Sequence, residues 1–195
     1  MDGTTRPPDK MPRIPDFTEG PVSPEQQKIY DAILAGPRGV VEGPLRIWLH
    51  SAGLAARAQD LGAFCRYGTS LPQRLSELAI LVTGAYWRAG FEWYVHAPIA
   101  AKAGLPVEAI EAIRRGETPT FTDPADAAVF AFARELLETR RVSPTTYAAA
   151  RDQLGDKGLV DLTGILGYYA LISMTIVAFE VPVPPGGAEP FADLT

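Results

Sequence analysis

Residues 71–105 read LPQRLSELAILVTGAYWRAGFEWYVHAPIAAKAGL, and this stretch decides the fold. It is apolar and helix-forming, yet Glu77, Glu92 and His96 sit inside it. Ionisable groups are costly to bury without partners, so three of them within one apolar run point to a site. His96 follows Glu92 by four positions, which on a helix puts imidazole and carboxylate on one face within reach of each other. Glu77 lies on the preceding helical segment, nineteen positions before His96.

Outward from this stretch the chain carries helix signals and no strand signals. Ser23-Pro24-Glu25-Gln26 forms a capping box with proline at the first helical position, opening a helix to about Ala35. After the breaker GPRGVVEGP, a helix is expected from about Leu45 to Arg66. Pro72 opens the Glu77 helix, and the Glu92/His96 helix follows to about Ala103, with Gly104 as its stop. Pro106, Asp123-Pro124 and Ser143-Pro144 open three more, the last to about Leu154. Gly155 to Gly158 then separates it from an apolar helix over 159–181. The expected fold is all-α with seven or eight helices, as one domain over 23–181. Residues 1–22 form a Pro-rich arm and 182–195 a Pro/Gly-rich tail, neither able to continue a helix past its prolines.

Pro98 falls inside the predicted His96 helix and cannot donate to the carbonyl of Tyr94. Two readings stay open: a plain kink, or a freed carbonyl that serves the site.

Bulk properties narrow the class. At 195 residues the chain fits one domain with a substantial core, and 47% apolar with 21% charged content is globular. A net charge of −5, with no basic run beyond Arg114-Arg115 and Arg140-Arg141, argues against nucleic acid or an anionic membrane as partner. Cys65 is the only cysteine, which excludes an intrachain disulfide or dithiol relay; a reducing cytoplasm is the expected compartment. The N-terminus lacks the apolar segment of a signal peptide. Residues 162–179 carry no charge over a nearly membrane-spanning length, but acids (Asp161, Glu180) flank them and two tyrosines sit at their centre, so a bundle-core helix is expected.

The 71–105 stretch resembles the carboxymuconolactone decarboxylase family, whose fold is shared with alkylhydroperoxidase D. The resemblance rests on Leu71, Pro72, Arg74, Leu75, Glu77, Ile80 and Leu81, then Phe91, Glu92, Trp93 and His96, then Ala100, Ala103 and Gly104. It extends more loosely over 40–183. It implies an alkylhydroperoxidase D-like bundle that assembles as a trimer, hexamer or dimer. Redox members carry Cys-x-x-Cys where this chain has Ala89 and Glu92, and in them the residue matching Glu77 belongs to a proton relay. With no thiol to serve, Glu77 is either an orienting partner of His96 or a structural acid.

The resemblance therefore implies a cofactor-free, decarboxylase-like enzyme for a small carboxylated or lactone-like acid. His96 would donate a proton, Glu92 would orient it and Glu77 would support it. Arg74 is the cation chosen to hold a substrate carboxylate, with His50 second; Trp48, Trp93 and Tyr168 are candidate substrate contacts or core residues. No metal is expected, since two histidines with one neighbouring carboxylate make a poor ligand set. GxGxxG, Walker A, GxSxG and HExxH signatures are absent. Two other readings are an alkylhydroperoxidase-like antioxidant protein, disfavoured without a paired thiolate, and a helical module that binds an apolar acid without turnover.

Overall fold

The computed structural model describes residues 11–15, 17, 20–21 and 23–194, and in them the chain is all-helical. Eight helices occur among the described residues: α1 (Pro24–Ala35), α2 (Pro44–Trp48), α3 (Ala52–Tyr67), α4 (Gln73–Trp87), α5 (Gly90–Lys102), α6 (Val107–Arg114), α7 (Pro124–Thr139) and α8 (Pro144–Phe179). Most of the expected N-terminal arm lies outside the described residues. Its described part is fastened to the far end of α8, where Arg13 N–H donates to Phe179 O at 2.9 Å and its guanidinium pairs with Glu180.

Helix α4 is the central element and packs against α5, α7 and α8. Every residue from Leu75 to Gly84 is buried, so the helix has no solvent face over those turns. Each large side chain in that run, such as Leu78 or Ile80, contributes about 1.5–3 kcal/mol by leaving water. This all-round burial is why Glu77 has no route to solvent and must find a partner inside. The α4 helix ends on Arg88 in the left-handed conformation, and α5 begins two residues later, folding back along α4. That elbow brings Glu77 and His96 together.

Two expectations are corrected and one is met. The single helix over 45–66 is two: Leu49, wholly buried, turns its carbonyl to the Gln26 side-chain amide at 3.1 Å, which ends α2, and α3 begins after Ser51. The expected break after Leu154 is present: Gly155 takes a non-helical φ of 68° and ψ of 176°, a conformation that favours glycine, so α8 is two helical stretches joined by a kink there. The tail does form a helical turn, Ala192–Leu194 in 3₁₀ form. Buried Phe191 packs edge-on against Trp93 at 5.5 Å, and Arg114 holds Asp193, so the segment is docked.

Helix α8 is long and apolar enough to cross a membrane by length and composition, and half of its most apolar stretch is buried in the fold. Val160, Met174 and Val177 stay exposed on it. Helix α5 runs through Pro98 without interruption. Pro98 and Tyr94 are both solvent-exposed, one helical turn apart on the face opposite His96, so the carbonyl freed by the proline opens to water. The plain kink is the reading the structure favours.

Candidate functional site

The site is a buried imidazole between two buried carboxylates. His96 Nδ1 lies 2.7 Å from Glu77 Oε2 across the α4/α5 interface, and its Nε2 lies 2.9 Å from Glu92 Oε1 one turn back on α5. All three side chains are at most 5% exposed. The Glu77 contact is an aligned hydrogen bond. The Glu92 contact is close in distance but off the ring N–H direction, so Glu92 Oε1 keeps unused hydrogen-bonding capacity.

Burial by itself would disfavour a charged ring. It is outweighed by the charge of Glu92, by the hydrogen bond to Glu77 and the contact with Glu92, and by the charge of Glu77, which together push the imidazole pKa up to about 9. At neutral pH His96 is thus an imidazolium that donates from Nδ1 to Glu77 and carries a second proton on Nε2. Tyr169 of α8 packs edge-on against the ring at 5.3 Å. Burial, with the charge of Glu92, holds its phenol well above the ordinary tyrosine value, so it stays a neutral donor.

A cavity of about 40 Å³ opens on the Glu92 side of this ring, lined by Arg38, Glu42, Glu92, Val95, His96 and Tyr169 among others. That is room for a few waters or one small head group. Six side-chain polar atoms among the described residues are buried without a hydrogen-bond partner, and three belong to this lining: Arg38 Nε, Glu92 Oε1 and Tyr169 OH. A buried unsatisfied donor or acceptor costs about 1–3 kcal/mol, so a cluster of three marks where a bound molecule would find its contacts. A roomier hollow of about 90 Å³ between α4 and α7, around Val82, Tyr86 and Phe130, has nothing comparable, since its Arg134 and Glu138 pair with each other. Shape without unsatisfied chemistry is the weaker signal.

Of the residues chosen from sequence, Glu77, Glu92 and His96 are brought together. The others are not at the cavity. Arg74 is engaged at both Nη atoms, by Asp126 and by Asp123, the latter at 2.5 Å, and does not line the cavity. His50 is exposed, its Nε2 2.6 Å from Pro15 O and its ring against Phe17. Trp48 is core, donating to Thr175 Oγ1 at 2.9 Å, and Trp93 turns to Phe191. Tyr168 is buried behind the cavity, where its hydroxyl accepts from Arg38 Nη2 at 3.0 Å, while its neighbour Tyr169 takes the lining position. Sequence reasoning missed Arg38 and chose Tyr168 over Tyr169. Arg38 sits in the loop read only as a breaker, 58 positions before His96. The Tyr168-Tyr169 pair carried a signal, because neighbours on a helix point about 100° apart and only one could face the histidine.

No cluster among the described residues offers three metal-binding side chains in ligand geometry. The two ring nitrogens of His96 lie against different carboxylates rather than converging with them on one point.

Residues 52–135 match the sequence profile of the Carboxymuconolactone decarboxylase family (CMD). The matched segment contains Glu77, Glu92 and His96 and excludes Arg38 and Tyr169. No curated protein matches the chain. Among solved structures, an uncharacterized peroxidase-related protein from Silicibacter sp. TM1040 superposes with TM-score 0.73 at 12% identity, covering 93% of this chain and 96% of the other. A candidate antioxidant defence protein AhpD of unknown function from Agrobacterium tumefaciens gives 0.62 at 14% identity, covering 73% and 99%. A Cys-to-Ala variant of the debrominase Bmp8, in complex with 2,3,4-tribromopyrrole, gives 0.67 at 14%, covering 88% and 90%. At these identities the likeness is one of fold.

Proposed function

We propose that this chain, whose residues 52–135 match the carboxymuconolactone decarboxylase family, is a member of that family and an acid–base enzyme working without a resident cofactor on a small carboxylated or lactone-like organic acid. The observation that carries the proposal is the buried His96 imidazolium, tied at Nδ1 by Glu77 and presenting its Nε2 side to the cavity. In decarboxylation the C–C bond to the carboxylate breaks, CO₂ leaves, and the electron pair passes into an enolate. A positioned donor stabilises the enolate oxygen, and carbon then takes a proton. His96 Nε2–H supplies that proton and is reprotonated from solvent. Glu77 fixes the ring, and Glu92 holds the charge that keeps it protonated.

Replacement of His96 by Gln tests this. Gln keeps a polar side chain but cannot deliver the proton, so turnover should fall by about 10²-fold or more while circular dichroism and sizing stay unchanged. Full turnover in that variant would sink the proposal, and an unfolded variant would make the triad a packing device.

Peroxidase chemistry, which the names of two fold neighbours raise, finds less support. Cys65 is wholly buried in α3, and burial, with the charge of Asp161, pushes its thiol pKa to about 11. A thiol peroxidase needs a thiolate. At the positions of the redox pair stand Ala89 and Glu92.

A further inference from the structure

We infer that Arg38 is the substrate anchor of this site, and that the group it holds is a planar carboxylate on a small acid. The inference rests on the acid–base reading above. Arg38 lies in the loop between α1 and α2 and lines the same cavity as His96 and Tyr169. Its single hydrogen bond among the described residues runs from Nη2 to Tyr168 OH at 3.0 Å, and no carboxylate of the described residues lies within ion-pair distance of it. Its Nε is buried with no acceptor. Arg74, the other arginine weighed as an anchor, is held by two aspartates.

Room for this guanidinium is built into α3. A Cβ on the buried Gly62 would collide with both Tyr168 OH and Arg38 Nη2, so glycine at this point lets the phenol and the guanidinium pass. The guanidinium is therefore positioned from behind by Tyr168, while its orphan Nε remains for something in the cavity. The lining carries Glu42 and Glu92 against Arg38 and the His96 imidazolium, with Glu77 behind the ring. The imidazolium is matched by two carboxylates, while Arg38 and Glu42 each have no opposite charge in contact among the described residues, so the cation left for an anionic group is Arg38. A planar fork of N–H donors matches carboxylate geometry, and Tyr169 OH, also unpartnered, supplies a further donor beside it. The cavity admits a head group rather than a whole substrate. A small conjugated acid would thus enter carboxylate first, within reach of His96.

Equilibrium binding to the full-length protein tests this, using crotonate and its uncharged isostere crotonamide at neutral pH, read by calorimetry. The wild type should prefer the acid by about tenfold or more, the value of one charge-assisted contact. Arg38→Met should abolish that preference, and Arg38→Lys, which restores charge without the planar fork, should recover part of it. Tyr168→Phe keeps the guanidinium but frees its far edge; it should weaken crotonate a few-fold and leave crotonamide unchanged, a split that general loosening of the core would not give. His96→Gln should lose turnover yet keep the acid preference, which separates failure of the anchor from failure of the proton donor. Equal affinity for acid and amide, no binding of crotonate to the wild type, or an undiminished preference in a folded Arg38→Met would overturn the assignment.

Discussion

Two ionic clusters start three residues apart on α4, and they are built to opposite ends. Arg74 in its first turn meets Asp123 and Asp126 at the start of α7, each acid within direct reach of the guanidinium. Glu77, one turn further in, meets His96, which also faces Glu92 and a cavity. In the first cluster the cation is divided between two acids and clamps two helices; its one buried atom without a hydrogen-bond partner, Asp126 Oδ1, lines neither of the cavities described above. The second opens on a cavity, with three buried atoms of the lining lacking hydrogen-bond partners. Charge inside a fold does not by itself mark a site; unused hydrogen-bonding capacity beside empty space does.

The comparison breaks most visibly at Arg74. Arg74→Ala strands Asp126, which is 4% exposed and whose carboxyl burial already holds above its usual pKa. Removing one partner of a buried pair costs about 3–5 kcal/mol, and partial exposure of Arg74 and Asp123 reduces this to about 2–3 kcal/mol. The urea midpoint should fall accordingly, while kcat/KM of the protein that remains folded stays within about twofold. A loss of kcat/KM with unchanged stability would show that Arg74 serves the site after all.

Glu92→Gln sharpens the other half. Turnover should drop less than in His96→Gln, because the ring remains and Glu77 still holds Nδ1. The pH profile carries the sign. With the ring pKa raised to about 9, the proton donor is loaded below that value, and kcat/KM should decline as pH rises through it. Removing the Glu92 charge takes away the leading influence that favours the imidazolium, so the descending limb should move to lower pH. An unmoved limb in Glu92→Gln would mean that His96 is not the titrating acid.

The smallest effect on turnover belongs to Cys65, which makes no hydrogen bond or ion pair with either cluster. Cys65→Ser should leave turnover of the folded protein unchanged, cost about 1–3 kcal/mol of stability for its buried hydroxyl, and leave peroxide consumption with a dithiol reductant at background. Dithiol-dependent peroxidase activity abolished by that substitution would move the whole reading to thiol chemistry.

The helices and the central triad were legible in sequence because their signals are local. Proline and Ser/Asp caps mark the starts of α1, α7 and α8, and the i, i+4 spacing of Glu92 and His96 guarantees their proximity on one helix. The break at Leu49 was not legible, since it depends on the Gln26 amide arriving from α1. Arg74 was chosen as anchor for its nearness in sequence to Glu77, and nearness along a helix says nothing of what the next helix brings: α7 brought two aspartates.

What the sequence determined alone is the all-helical fold and the pairing of a buried histidine with acids, because periodicity, capping and burial cost act over a few residues. Tertiary structure decided which cation stands free. Arg38 and Arg74 are the same chemical group, each in an unremarkable local setting, and only the packing of loop, α3, α7 and α8 saturates one and leaves the other with an orphan Nε in the cavity. Whether a charge is spent or available is a property of its partners, and those partners lie dozens of residues away in the chain.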